Sequence, residues 1–414
     1  MLPRMIVLGP ALVLAVYAAG GCNRSPMENS LAPTSEDLEH AYRTADPNLA
    51  GHQSAEAVVV HGNDITVLCS ANPKGDGEHT WLIRLAADGA VAWQHHFSPD
   101  QGVGRALAAL PDGGFAIAGE IQRSAMEYQA YLLRTDAAGN PVAGAAFGPR
   151  GVTGFTSLTV LDDGAPLAGG AVNGHGWLVQ VDPRLDPAPD PKAGAKLRAT
   201  WDAPLAEVDD VFGLVPLDGG FAMVARRERS TLRFGRTRAA AFQADRKVRW
   251  QVELPAEGRG EPAGLARLPG GGVALVGHHA ASDHARSKIW VAKVTGADQV
   301  AWQRTLGSPE DECRGRAIAA LPDGGVVVAG DALRDGKRGL RLARIGPDGA
   351  MIWEHALGDA TGQDVARGIA PTADGGFVVV GSTSSKGAGK TNVWIVKLDS
   401  DGRRVWDRAF GTAG

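Results

Sequence analysis

Three arginines, Arg105, Arg316 and Arg367, hold one register in three copies of an internal repeat, at the start of the first strand of each copy. Guanidinium groups are permanently charged and fork-shaped, so three of them converging on one mouth would make an anion-attracting funnel. The acids Asp311, Glu312 and Asp364 lie in the neighbouring loops. This is the expected ligand site. A second basic cluster comprises Arg226, Arg227, Arg229, Arg233, Arg236 and Arg238, with Phe234 among them and Glu228 as the only local counter-charge. Such a run is either a solvated loop or a patch that grips the carboxylate or phosphate groups of a partner.

Other constellations are weaker. His278, His279, Asp283 and His284 have a spacing that suits zinc or nickel. No further ligand can be placed from sequence, so a solvated loop is expected and no metal site. Gly387-Ala388-Gly389-Lys390-Thr391 imitates the end of a phosphate-binding loop. However, Ser384 stands where the first glycine is needed, and a strand follows instead of a helix. Asp399-Ser400-Asp401-Gly402 begins like a calcium loop but lacks the closing glutamate, and a turn between strands explains it. With no nucleophile elbow and no recurring His-Asp-Ser set, no catalytic residues are expected.

These residues are positioned by a repeat registered on Gly62, Asp112, Asp163, Asp218, Gly270, Asp323 and Asp374, at spacings of 50 to 55 residues. At most of these positions a glycine-containing turn precedes an apolar run such as Phe115-Ala116-Ile117-Ala118 or Val326-Val327-Val328-Ala329. Tight hairpins favour glycine because it adopts positive φ without strain. Runs that are apolar on successive residues must be covered on both faces, as when a sheet is sandwiched between two neighbours. A third strand carries Trp81, Tyr131, Trp177, Trp290 and Trp394 at one register, with Ala240 and Arg341 as exceptions. A fourth carries Trp93, Trp201, Trp250, Trp302, Trp353 and Trp406, with Ala143 as the exception. The ten tryptophans of the chain all fall on these two positions, which suits wedges between adjacent sheets whose N–H groups find carbonyl acceptors. The expected fold is an all-β, seven-bladed β-propeller of four-stranded antiparallel blades.

The strings Gly89-Ala90-Val91-Ala92-Trp93, Gly349-Ala350-Met351-Ile352-Trp353 and Gly402-Arg403-Arg404-Val405-Trp406 resemble the tryptophan-docking motif of quinoprotein-type propellers. With the Asp-Gly-Gly-Phe-Val-Val turn before them, they resemble repeat proteins of the bacterial envelope. Arg246 and Asp298 replace the motif's glycine in blades 4 and 5, which predicts an incomplete docking girdle there. Enzymatic members hold a quinone with adjacent cysteines, which this chain lacks, so no cofactor is expected. A closer comparison is with the non-enzymatic propeller lipoprotein of the outer-membrane barrel assembly machinery. Kelch repeats place their paired glycines after the second strand rather than before it, and WD repeats are shorter.

Residues 1–22 read as an export signal: Arg4, an apolar run from Met5 to Ala19, then Ala19-Gly20-Gly21-Cys22. This resembles a bacterial lipoprotein signal, which implies lipidation of Cys22; an ordinary secretory signal cut nearby is the alternative. Residues 23–50 read as a polar tether and 51–414 as the propeller. The net charge of −4 and a pI near 6.3 give no basic footprint for nucleic acid. Cys69 and Cys313 lie in different repeats and are expected to be unpaired. The chain is therefore expected to be an exported monomer, lipid-anchored to the cell envelope at the outer membrane, that binds an envelope protein or an anionic ligand. A polysaccharide hydrolase or lyase is the alternative.

Overall fold

A computed structural model of the chain describes residues 51–73, 79–97, 102–184, 197–227, 236–254, 259–282, 285–296, 299–358, 362–387 and 390–411. Seven four-stranded antiparallel sheets follow one another along it, each built from four consecutive strands. Blade 1 runs from Gly51 to Phe97, blade 2 from Gly102 to Gly151, blade 3 from Thr153 to Leu205 and blade 4 from Asp210 to Leu254. Blade 5 runs from Arg259 to Leu306, blade 6 from Glu312 to Leu357 and blade 7 from Asp364 to Phe410. The first strands touch one another in sequence around the axis, the seventh against the first, so the chain is a closed seven-bladed propeller.

The unbroken apolar second strands are explained by their two neighbours. In blade 6, Val326 and Val328 pack toward blade 5 against Val276 and Val291, while Val327 and Ala329 pack toward blade 7 against Val379 and Val396. Alternate side chains thus serve alternate interfaces, and burial of each valine contributes about 1.5–3 kcal/mol. Among the described residues no strand is shared between blades 1 and 7. Their seam is closed by Val378, Val380 and Ile395 against Ile65, Val67 and Trp81.

The tryptophans also face two ways. Third-strand Trp81, Trp177, Trp290 and Trp394 are buried against the preceding blade. Their N–H groups do not generally use backbone carbonyls as expected: Trp177, Trp290 and Trp394 donate to the fourth-strand side chains of Asp202, Gln303 and Asp407. Fourth-strand indoles reach forward. Trp302, Trp353 and Trp406 donate to the carbonyls of Pro347, Ser400 and Ala87 in the next blade's turn, at 3.0, 3.3 and 3.0 Å. The glycines beneath them, Gly349, Gly402 and Gly89, have φ near +80° and lie so close that an added Cβ would touch the ring at 2.9–3.1 Å. Any larger residue there would lift the indole off the turn.

Strand pairing corrects one sequence register. In blade 4 the residue opposite Ala225, matching Trp394 opposite Gly381, is Arg238 and not Ala240. Arg238 is buried and paired with Glu207 and Glu253, just as Arg341 in blade 6 is paired with Asp311 and Glu354. Two blades thus replace the third-strand ring by an ion-paired arginine. Cys69 and Cys313 are both buried and unpaired, as expected.

Candidate functional site

Each first strand carries one extra residue at the same level: Glu56, Arg105, Thr156, Phe212, Ala263, Arg316 and Arg367. A bulge re-aims its side chain and bends the strand, here once per blade around the axis. The signal that marks it lies on the second strand. Gly119, Gly170, Gly277, Gly330 and Gly381 face carbonyls of the first strand so closely that a Cβ would lie only 1.9–2.4 Å from the oxygen. Those glycines are legible in the sequence, yet their consequence, a ring of bulged residues, is not.

Arg105, Arg316 and Arg367 are three of these bulge residues, at one level of their first strands. Their charge is not free, and the expectation of an anion-attracting funnel is corrected on that ground. Arg105 pairs with Glu120 at 2.9 Å and Arg316 with the fully buried Asp331 at 2.7 Å. Arg367 reaches across the closing seam to Glu56 at 3.3 Å. Arg338 is a second partner of Asp331, and Ser70 donates to Glu56 at 2.9 Å. Asp311 and Asp364 are fully buried structural acids. Asp311 is held by Arg334 and Arg341, and Asp364 accepts from Thr383 and Ser385. Glu312 pairs with Arg314 at 3.3 Å.

Neighbouring positions extend this girdle. Arg226 pairs with Glu261 of the next blade at 2.8 Å, and its guanidinium lies over the Phe212 ring at 5.3 Å. His278 Nε2 is 3.6 Å from the other oxygen of Glu261. Burial, then the fields of Arg314 and Arg316, lower the pKa of His278 to about 4, so it is neutral at pH 7. The charges at this level are therefore paired with opposite charges, and two of the pairs cross blade seams, Arg226 to Glu261 and Arg367 to Glu56.

The loop cluster of arginines is dispersed by the same pairing. Arg226 belongs to the mouth, Arg238 to the core, and Arg227 and Arg236 share Glu253, with Arg236 the most exposed. Among the described residues the compensating acids are Glu207, Glu253 and Glu261. Arg229, Arg233, Phe234 and Glu228 lie outside the described residues, as do Cys22, Asp283 and His284. His278 and His279 are adjacent on a strand and point to opposite faces, His279 toward Thr305 at 3.1 Å, so those two cannot share a metal. Among the described residues no group of metal-ligating side chains converges.

The opposite face, where the hairpin turns lie, holds a cavity of about 1150 Å³ over blades 4 to 7. It is lined by Trp250, Leu268, Leu321 and the Gly270–Gly272 turn, with Arg249 and Arg267 beside them.

No protein-family model matches this chain, and no curated protein matches it. Among solved structures it is similar to the β-propeller domain of the Trilobed protease from Pyrococcus furiosus, at 8% identity over 87% of this chain and 96% of that one, with a TM-score of 0.47. It is similar to the Synechocystis apocarotenoid oxygenase at 9% identity over 92% and 97% of the two chains, TM-score 0.47. A puromycin-hydrolyzing peptidase of Mycobacterium tuberculosis matches at 16% identity over 92% of this chain and 55% of that one, TM-score 0.46. These likenesses concern fold alone, and the seven-bladed assignment rests on the sheets of the chain itself.

Proposed function

We propose that this chain is an exported, lipid-anchored and monomeric binding or assembly module of the cell envelope, non-enzymatic, which offers the ringed mouth of its connection face to a partner. The observation that carries the reading is the bulge repeated in every blade. Regular pairing is interrupted at one level of the first strand in all seven blades, and bulges re-aim the side chains they carry. Because the aimed charges are already paired, the ligand that fits is a protein segment bearing both signs, which exchanges ion pairs with the ring, rather than a simple anion. Cys22 would supply the membrane anchor, and residues 23–50 the reach.

A photo-crosslinking residue placed at Arg105 or Arg367 in the intact envelope tests this. One defined protein should be captured from both positions and not from the outer-strand position Glu354. Cys22→Ser should release the chain from the membrane fraction. Absence of a common crosslinked partner would overturn the binding reading, and unchanged membrane retention of Cys22→Ser would overturn the anchor.

One observation favours a second reading, a polysaccharide hydrolase or lyase: Glu261 and the neutral His278 stand 3.6 Å apart at the mouth. A carboxylate and an imidazole so placed can exchange a proton with a sugar. Polysaccharide cleavage lost in both Glu261→Gln and His278→Gln would establish it.

A further inference from the structure

The turn between first and second strands has an internal electrostatic pattern. In blade 2, Asp112 accepts the Gly114 amide at 3.0 Å on one oxygen and Arg134 at 2.5 Å on the other. Blade 6 repeats this with Asp323, the Gly325 amide at 2.8 Å and Arg344 at 2.9 Å. Blade 7 uses Asp374, the Gly376 amide at 3.0 Å and Lys397 at 2.8 Å. The third-strand base also reaches onward to a carbonyl of the following blade: Arg134 to Pro183, Arg344 to Ser400.

Blade 5 keeps the base and drops the acid. Lys293 opposes Ala274 as Lys397 opposes Val378, and it makes the onward bond, to the Pro347 carbonyl at 3.0 Å. The aspartate's place is taken by Gly270, with φ of +79°. Among the described residues Lys293 has no carboxylate partner, and the Gly272 amide has no acceptor. An ammonium has three donors, and this half-buried one uses a single carbonyl. Asp218 of the adjacent blade does not stand in, because it is engaged by Arg267. The Gly270–Gly272 turn lines the hairpin-face cavity, whose walls combine the apolar Leu217, Leu268, Leu321 and Pro322 with Asp218, Arg249 and Arg267.

We propose that blade 5 binds the carboxylate of a small acidic ligand with an apolar body. The ligand's carboxylate takes the place that Asp112, Asp323 and Asp374 fill in their own blades, against Lys293 and the Gly270–Gly272 turn, and its body occupies the cavity. This site is on the face opposite the charged mouth and does not depend on the function proposed for that mouth.

The probe is 4-phenylbutyrate, compared with 4-phenylbutanol and inorganic phosphate at matched ionic strength, titrated calorimetrically into the full chain. Phenylbutyrate should bind at least about tenfold more tightly than the alcohol or phosphate, since a charge-assisted pair is lost in the alcohol. Lys293→Gln should weaken it by a similar factor. Gly270→Asp should do the same by supplying the carboxylate from within, at some cost in stability because Gly270 has φ of +79°. If Gly270→Asp does not fold, Lys293→Gln decides. Lack of saturable binding, equal binding of the alcohol, phosphate binding as tight as the acid, or unchanged affinity in the variants would each overturn the proposal.

Discussion

The ring divides into two arcs that hold together differently. From blade 5 through 6, 7 and 1 to blade 2, every seam has a fourth-strand indole seated on a turn glycine of the next blade, the last being Trp93 on Gly139. A second donor, two residues after the indole, reinforces each one. Arg304 reaches the Gly349 carbonyl at 2.7 Å, His355 that of Asp401 at 2.9 Å, Arg408 that of Asp88 at 3.3 Å and His95 that of Ala138 at 3.0 Å. From blade 2 to blade 5 this arrangement lapses. Ala143 offers no indole, Ala203 and Val252 stand where the second donors would be, and at the seam of blades 3 and 4 Arg246 replaces the glycine. The comparison teaches that uniform docking closes the ring with no strand shared among the described residues, and that the arc released from docking is where distinct surface accumulates. Arg226, Glu253 and Glu261 and part of the hairpin-face cavity all belong to it.

The largest effect that separates the arcs is expected from removing one indole in each. Trp302→Ala deletes a buried ring, its bond to Pro347 and the cover over Gly349, and should cost about 3–5 kcal/mol in urea unfolding. Trp201→Ala removes a half-exposed ring whose neighbour is the Arg246 guanidinium at 4.8 Å, and should cost about 2 kcal/mol or less, the scale of a cation–π contact plus partial burial. Equal losses would abolish the distinction.

Acid should probe both arcs with a smaller effect. His96, stacked on Trp81 at 4.8 Å in the closing seam, has its pKa lowered to about 4 by burial and then by His79 and His95; His278 in blade 5 is lowered equally far. An imidazole with a folded pKa near 4 and an unfolded pKa near 6.5 binds more protons unfolded across that window. Its stabilising contribution is therefore complete above about pH 6.5 and lost as pH falls toward 4. The melting temperature should decline from pH 7 to pH 4.5, and His278→Gln and His96→Phe should each flatten that decline. A variant whose pH profile parallels that of the parent chain would show that its histidine is already protonated in the fold.

Much of the architecture was legible because repetition averages out local ambiguity. The Asp-Gly-Gly turns, the doubly apolar second strands and the two tryptophan registers each state the same blade several times. What was not legible depends on contacts between blades. Arg226 finds Glu261 in the next blade and Arg367 finds Glu56 at the far end of the chain, so local charge counts overstated the free positive charge at both basic clusters. Blade 4 was misregistered because Arg238 occupies an aromatic position, and a buried arginine looks like a surface one until Glu207 and Glu253 are seen against it. Arginine register picked out Arg105, Arg316 and Arg367, but their partners Glu56, Glu120 and Asp331 were missed. Gly119 and Gly330, opposite the bulges, precede two of those partners, whereas Cys69 stands at that position in blade 1.

The smallest effect tests the compromise at the seam of blades 3 and 4. Arg246 keeps the left-handed backbone of the docking glycine, with φ of +67°, while its side chain covers Trp201 and donates to Gln180 at 2.7 Å. Holding a non-glycine residue there costs on the order of 1 kcal/mol, and the cation–π contact offsets a comparable amount. Arg246→Gly should consequently leave stability within about 1 kcal/mol of the parent chain, exchanging side-chain contact for relief of backbone strain. Arg246→Ala relieves nothing and loses both contacts, so it should fall below the glycine variant by about 1 kcal/mol, the ordinary penalty for a Cβ in this region. An alanine variant as stable as the glycine variant would mean that the turn relaxes when the guanidinium is removed. The positive φ would then be imposed by the stacking of Arg246 on Trp201, and not by the turn that the other blades give to glycine.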